Sequence, residues 1–208
     1  ILFEQWNRAY SEELSFYFRK EYEKLGGRIT VVKSFSSGDE KGFGQLAKEL
    51  TENGEDGILS IAAGTDNAML CQQLTKNGSN VKVYAGLWSM SDDLILNGGK
   101  TIERIYLAGV FDNASTSPAY AAFKEKYFSR FHTYPTFGSI FSYEACTVLF
   151  TALKECSSFD KKCLADNIIK TARFKGLQQE FKIDQFGDAD DRSYILYTVK
   201  NGKFIKAG

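Results

Sequence analysis

Thr65, Asp66 and Asn67 are the polar residues best placed for chemistry in this chain, because of what surrounds them. Residues 57–74, GILSIAAGTDNAMLCQQL, open with an apolar run over residues 58–63, short enough for a buried strand. Gly64 and Thr65 break the run, Asp66 and Asn67 carry capping side chains, and Ala68, Met69, Leu70 and Leu74 continue at helical spacing. A strand that ends in small residues and turns straight into a helix exposes backbone N–H groups at its carboxyl edge, where open α/β sheets bind ligands. Ala62, Ala63 and Gly64 leave room for a ligand to approach the backbone. An ordinary strand-to-helix turn with no ligand reads the same way. The chemistry on offer is non-covalent: there is no Gly-rich phosphate loop, no Gly-x-Ser-x-Gly elbow and no metal-ligand cluster. The one histidine, His132, follows Phe131 at a helix end and reads as a capping or surface residue.

The four cysteines divide into two kinds. Cys156 should end one helix and Cys163 begin the next, so a local disulfide is expected, fitting an oxidising compartment. Closing so short a loop contributes roughly 2–3 kcal/mol when unstrained. Cys71 and Cys146 lie on apolar helix faces and read as buried free thiols.

Composition sets the outer limits. A chain of 208 residues suits one large domain or two small ones. Lys+Arg and Asp+Glu both number 26, and this balance gives no support for nucleic-acid binding or an electrostatic membrane surface. No apolar run is long enough to span a bilayer. The first residues, Ile1-Leu2-Phe3-Glu4, show neither an initiator Met nor a signal peptide and read as the end of a strand that begins earlier.

The elements that would position the polar cluster alternate. A helix is expected over residues 10–25, with Leu14, Phe18, Tyr22 and Leu25 as its apolar stripe and Gly26-Gly27 as its stop. Strands are expected over residues 29–32, 58–63, 81–85 and 105–111, with helices over 43–50 and 91–96 between them. Such alternation predicts a parallel sheet with right-handed crossovers. After Phe111 the pattern changes to three helices, opening at Pro118 and covering about 118–131, 140–156 and 160–172. A short strand, residues 181–184, and a hairpin over 194–205 with an Asn201-Gly202 turn follow. The three helices need a sheet to cover, and the chain does not obviously supply one.

Order and wording together resemble the second part of a type I periplasmic solute-binding protein, of the branched-chain amino-acid (leucine/isoleucine/valine) ABC importer family. The matching residues are Asn7-Arg8-Ala9-Tyr10-Ser11, Gly26-Gly27-Arg28-Ile29, Gly38-Asp39, Asp56-Gly57-Ile58 through Gln72-Gln73-Leu74, and Asn97-Gly98-Gly99. They continue with Ala122-Phe123, Tyr127, Arg130-Phe131, Pro135, Ser142-Tyr143-Glu144-Ala145, residues 181–188 and residues 199–204. The resemblance implies an α/β fold of two lobes, each a parallel sheet flanked by helices, joined by hinge crossovers. By this likeness residues 1–111 form the second lobe, 112–191 return to a first lobe that is incomplete here, and 192–208 are the hinge return and terminal hairpin.

The resemblance also implies a mechanism. Both lobes close on a small amino-acid-like, polar or aromatic solute, and the closed form is recognised by the membrane permease of an ABC importer. It implies an exported protein, periplasmic or extracellular, with no cofactor, no catalysis and no membrane insertion of this segment. Tyr10 matches the family tyrosine at the cleft edge; a core tyrosine at a helix start is the alternative. Ala63, Gly64, Thr65 and Asp66 line the cleft at their turn, and Trp88 with Ser89 follows the next strand. The family places a carboxylate near Trp88 for an α-ammonium group, and this chain has none there, although Asp66 is a substitute. Ser142 and Tyr143 come from the returning segment, facing either the cleft or the core. Two other readings stand beside this one: a ligand-sensing ectodomain or regulator of the same fold, and a flavodoxin-like enzyme with a bound flavin.

Overall fold

A computed structural model describes residues 1–38, 42–157 and 159–207. The chain divides into two compact units, residues 1–109 with 195–208, and residues 110–194.

The first unit is an α/β sheet. Its elements are β1 (Leu2–Glu4), α1 (Arg8–Lys24), β2 (Lys33–Phe35), α2 (Phe43–Glu49), β3 (Gly57–Ile61), α3 (Gly64–Lys76) and β4 (Lys82–Gly86). A 3-10 turn, Leu87–Ser89, then α4 (Asp92–Gly98), a second 3-10 segment, Gly99–Arg104, and β5 (Ile105–Gly109) complete the run. These five strands are parallel and lie in the order 2-1-3-4-5. Leu2, Ile58, Val83, Ile105 and Leu107 bury one side of the strands against Leu70, Leu74 and Leu94 of the helices, leaving each of them at most 2 % exposed.

The expected helix over 10–25 forms, but its buried face is Ser11 and Ser15. The apolar stripe is different: Leu14 and Phe18 are half-buried, Tyr22 and Leu25 exposed. α1 meets β1 and β3 near its start, where small residues let helix and sheet approach closely. The second expected strand also moves, from 29–32 to Lys33–Phe35. Its partner β1 begins at Leu2, which pairs with Lys33, so the ladder starts there.

The second unit holds α5 (Pro118–Phe131), α6 (Phe137–Lys154), α7 (Lys161–Lys170), β6 (Phe174–Lys175), β7 (Glu180–Ile183) and β8 (Ala189–Asp190). The three short strands are antiparallel, in the order 6-7-8. Val148, Phe174 and Phe181 form a small core with Ile168 and Ile183. Phe128, Phe131, Tyr143 and Phe150 on α5 and α6 stay exposed. His132 closes α5 in the left-handed conformation, φ 55°, as a capping residue. The chain then returns to the first unit as β9 (Ile195–Lys200) and β10 (Lys203–Lys206). β9 is antiparallel to β5, and the Asn201-Gly202 turn has positive φ at both residues, as a tight hairpin requires.

Cys156 and Cys163 are bonded, with Cα atoms 6.1 Å apart, tying α6 to α7. Asp160 caps α7 by accepting a hydrogen bond from the Cys163 N–H at 2.9 Å. Cys71 is buried as expected, and burial pushes its thiol up to about 12. Cys146 is not: it is exposed, because the apolar surface of α6 is only partly covered within the unit. A maleimide should therefore label Cys146 promptly in the native protein and Cys71 only on unfolding, with Cys156 and Cys163 reacting only after reduction. Intact-mass measurement reads the result, and labelling of all four without reductant would remove the disulfide.

Candidate functional site

Strand order reverses direction between β1 and β3 in the first unit. In open α/β sheets the crevice outside the carboxyl ends of the strands at such a switch point is where ligands bind. The segments gathered there are residues 4–10 after β1, 36–38 after β2, 62–67 after β3 and 86–91 after β4. The expected residues Tyr10, Ala63, Gly64, Thr65, Asp66, Trp88 and Ser89 therefore share one edge. Tyr143 lies on α6 of the other unit, half exposed and packed on Phe123 at 4.9 Å between ring centres. Ser142 beside it is exposed.

Two aromatic rings make a corner at this edge. Tyr10 and Trp88 meet edge to face, 5.9 Å apart and at 86°. Tyr10 is 41 % exposed and Trp88 half-buried. The Tyr10 hydroxyl lies over the end of β4, where a Cβ on Gly86 would stand 3.3 Å from it.

The turn after β3 is held by a buried polar knot. The Ser89 hydroxyl donates to the Ala62 carbonyl at 2.7 Å and accepts from Asn67 Nδ2 at 2.8 Å, and Asn67 Nδ2 also reaches the Ala62 carbonyl at 3.3 Å. Asn67 thus secures the chain beyond β4, and no side chain caps the amino end of α3. Both expected capping roles are corrected, since Asp66 and Asn67 already sit inside the first turn. Gly64 is buried too, and a Cβ there would lie 3.1 Å from the Leu94 nitrogen and the Ser89 carbonyl, closer still to Ser91 Oγ. Its smallness serves packing of α3 against the segment after β4, whereas Ala63 is half-buried and Thr65 exposed.

Two acids sit beneath the edge. Glu4, 2 % exposed, accepts from the backbone N–H groups of Trp6 at 2.6 Å and Asn7 at 2.9 Å, which secures the entry to α1. Asp66, also 2 % exposed, accepts from the Ser37 hydroxyl at 2.8 Å. Burial raises the Asp66 carboxyl above its ordinary value, and the Glu4 charge adds to this; the bonds from Ser37 and the Gly38 backbone oppose it. Sequence reasoning missed Glu4 and Ser37. The signal for Glu4 was an acid at a strand end just ahead of a helix start, a position that suits N–H capping.

Three comparisons bear on the site. The family model described as periplasmic binding protein matches residues 5–203. A search of curated protein sequences returned no match. Among solved structures, a leucine binding protein LivK from Thermotoga maritima is 28% identical, with a TM-score of 0.86 over 100% of this chain and 59% of that one. The substrate binding protein LivJ from Streptococcus pneumoniae, in complex with isoleucine, is 19% identical, with a TM-score of 0.78 over 99% of this chain and 59% of that one. A solute binding protein from R. palustris in complex with benzoate is 15% identical, with a TM-score of 0.82 over 100% and 56%. The chain thus spans under two thirds of these relatives' length.

The packing around Gly64 and Asp66 makes two predictions. Gly64→Val should cost about 1–3 kcal/mol, since backbone atoms of Leu94 and Ser89 must shift; denaturant unfolding measures it, and an unchanged midpoint would refute the close approach. For Asp66 the folded state holds its proton to higher pH than the unfolded chain does. The unfolded chain therefore ionises first as pH rises, and stability falls from the ordinary carboxylate range upward through the raised value. Asp66→Asn keeps an acceptor for Ser37 and removes this loss. Its melting temperature relative to the natural protein should climb across that window and be level below it; a pH-independent difference would count against the argument.

Proposed function

This chain belongs to the periplasmic binding protein family, and on that premise we propose that it is part of an exported solute-binding protein of an ABC importer. It binds a small solute without changing it covalently and presents it to a membrane permease. Residues 1–111 are read as the second lobe, 112–191 as the segment belonging to the first, and 192–208 as the hinge return and terminal hairpin. The observation that carries this reading is the Tyr10–Trp88 corner at the switch point of the parallel sheet. Leucine, isoleucine and benzoate, the molecules named for the relatives, share a carboxylate and an apolar body. An aromatic corner suits the apolar body: ring contact excludes water and contributes about 0.5–1.5 kcal/mol beyond the area it buries.

Tyr10, Ala63, Thr65 and Trp88 are assigned to the wall that touches the solute. Gly64, Asp66, Asn67 and Ser89 are assigned to its support, since all four are buried and the Asp66 carboxyl, the Asn67 amide nitrogen and the Ser89 hydroxyl bond within the unit. Tyr143 is assigned to the segment of the first lobe. Closure of a second wall over the solute supplies most of the affinity, because one wall leaves a small ligand largely in water. A protein of the relatives' full length is therefore expected to bind more tightly than residues 1–208 alone.

A 2-1-3-4-5 strand order also occurs in flavin-binding sheets. Absorbance of the purified protein separates that reading, since a bound flavin would be visible and would oppose ours. The direct test is mass spectrometry of small molecules released on denaturation, followed by titration with the recovered solute. Trp6 is 81 % exposed, so a Trp6→Phe background isolates Trp88 emission. The solute should shift that emission, and Trp88→Ala should weaken binding about tenfold or more, near 1.4 kcal/mol. Unchanged emission together with unchanged affinity would move the site elsewhere.

A further inference from the structure

The chain passes between its two units twice, at Gly109–Val110 and at Tyr194–Ile195. On the side of the first unit both exits are fixed by one pair, since Gly109 and Ile195 are partners in the β5–β9 ladder. On the side of the second unit both exits run to a single four-residue loop, residues 176–179, which joins β6 to β7.

Two adjacent glutamines in that loop hold the exits. Gln178 grips one residue twice: its Oε1 accepts from the Asp112 N–H at 2.8 Å and its Nε2 donates to the Asp112 carbonyl at 2.6 Å. Gln179 spans both passages, donating from Nε2 to the Val110 carbonyl at 3.0 Å and accepting at Oε1 from the Ser193 N–H at 2.9 Å. The loop itself is anchored. The Gly176 N–H donates to the Gln179 carbonyl at 3.1 Å, and the Leu177 N–H donates to Glu144 Oε1 at 2.7 Å. The Leu177 carbonyl accepts from the Ser117 hydroxyl at 2.7 Å. Glu144 Oε2 in turn accepts from Arg192, one residue before Ser193, at 2.7 Å. A Cβ on Gly176 would lie 2.5 Å from the Gln179 carbonyl and from Glu144 Oε1, so the loop closes only with glycine there.

We propose that Gln178 and Gln179 are positioning residues that confine bending between the units to Val110 on one passage and to Ser193 and Tyr194 on the other. Between the last clamped peptide and the first paired residue of the sheet, the bonded groups leave the torsions of Val110 on one passage and of Ser193 and Tyr194 on the other. Side-chain amides suit this role because each offers a donor and an acceptor in one plane, as a neighbouring strand would. A sheet ladder cannot extend across a moving joint, whereas a side-chain clamp ends it at a defined residue. This inference rests on the reading that the protein works by closing, and it names where closure bends the chain.

The test does not require the solute. Spin labels on exposed Cys146 and on Lys76→Cys report the distance between the units, and amide exchange reports Ser193. In Gln179→Leu the Ser193 amide should exchange about tenfold faster, and the inter-label distance distribution should broaden while thermal stability of each unit stays level. Gln179→Glu keeps the acceptor for Ser193 and loses the donor for Val110, so it should retain the Ser193 protection and still broaden the distribution. Gln178→Leu, which leaves both Gln179 bonds, should broaden it through the Asp112 side alone. Unchanged exchange at Ser193 and an unchanged distribution in Gln179→Leu would overturn the clamp. Failure to recover any solute would count against the proposed function and leave these readings as they stand.

Discussion

The carbonyl of Ala62 is buried at the end of β3, beyond the last residue that pairs with β4, and something other than the ladder must satisfy it. Left alone it would cost roughly 1–3 kcal/mol. The Ser89 hydroxyl and the Asn67 amide meet that need together. Because Ser89 comes from the chain after β4 and Asn67 from the first turn of α3, satisfying one carbonyl locks two crossovers to each other. Trp88 is carried on the locked segment, next to Ser89. The placement of the aromatic corner therefore follows from a backbone hydrogen-bonding requirement.

The second unit solves a similar need with charge. Glu144 is 3 % exposed and satisfies the Leu177 N–H on one oxygen and Arg192 on the other. Arg192 also lies over the Phe181 ring at 3.9 Å and the Phe141 ring at 5.3 Å, so its guanidinium sits among the two rings and Glu144. Such a pair adds little stability beyond a packed apolar pair, yet removing one partner leaves a buried charge. What the pair fixes is geometry. It joins α6 to the loop after β6 and to the segment that leaves the unit, beside the small cluster of Val148, Phe174 and Phe181.

Much of this architecture was legible in the sequence where local signals agreed. The apolar run of residues 58–63 followed by helical spacing located β3 and α3, and Asn201-Gly202 located the last hairpin. The pairing of Cys156 with Cys163 was legible from spacing and is present. The failures share a physical cause. The stripe Leu14, Phe18, Tyr22 and Leu25 reads as a buried face only if helix and sheet run together for their whole length. α1 instead buries Ser11 and Ser15, while Tyr22 and Leu25 toward its far end stay exposed. Cys146 was misread because an apolar helix face implies a cover, which the described residues of its unit do not complete. Glu4 was passed over because an acid at a strand end has no periodic signature. Its role is visible only when the Trp6 and Asn7 N–H groups are seen to turn back on it.

Small residues at the end of a strand are an ambiguous signal for the same reason. Ala62, Ala63 and Gly64 invite the inference that a ligand approaches the backbone, yet Ala62 is 2 % exposed and Gly64 is filled in by Ser89, Ser91 and Leu94 of its own unit. Space vacated by a missing Cβ is taken first by the nearest chain segment, because close packing is worth more than an open groove in the free protein. The acids behave alike: Glu4 and Asp66 lie at the edge in sequence, but N–H groups and a hydroxyl consume them below the surface. Of the expected contact residues, Tyr10 and Thr65 are exposed and Ala63 and Trp88 half-buried, and all four are uncharged. Under the proposed function this wall selects by shape and aromatic contact, and the charge of a solute must be met by groups other than these two carboxylates.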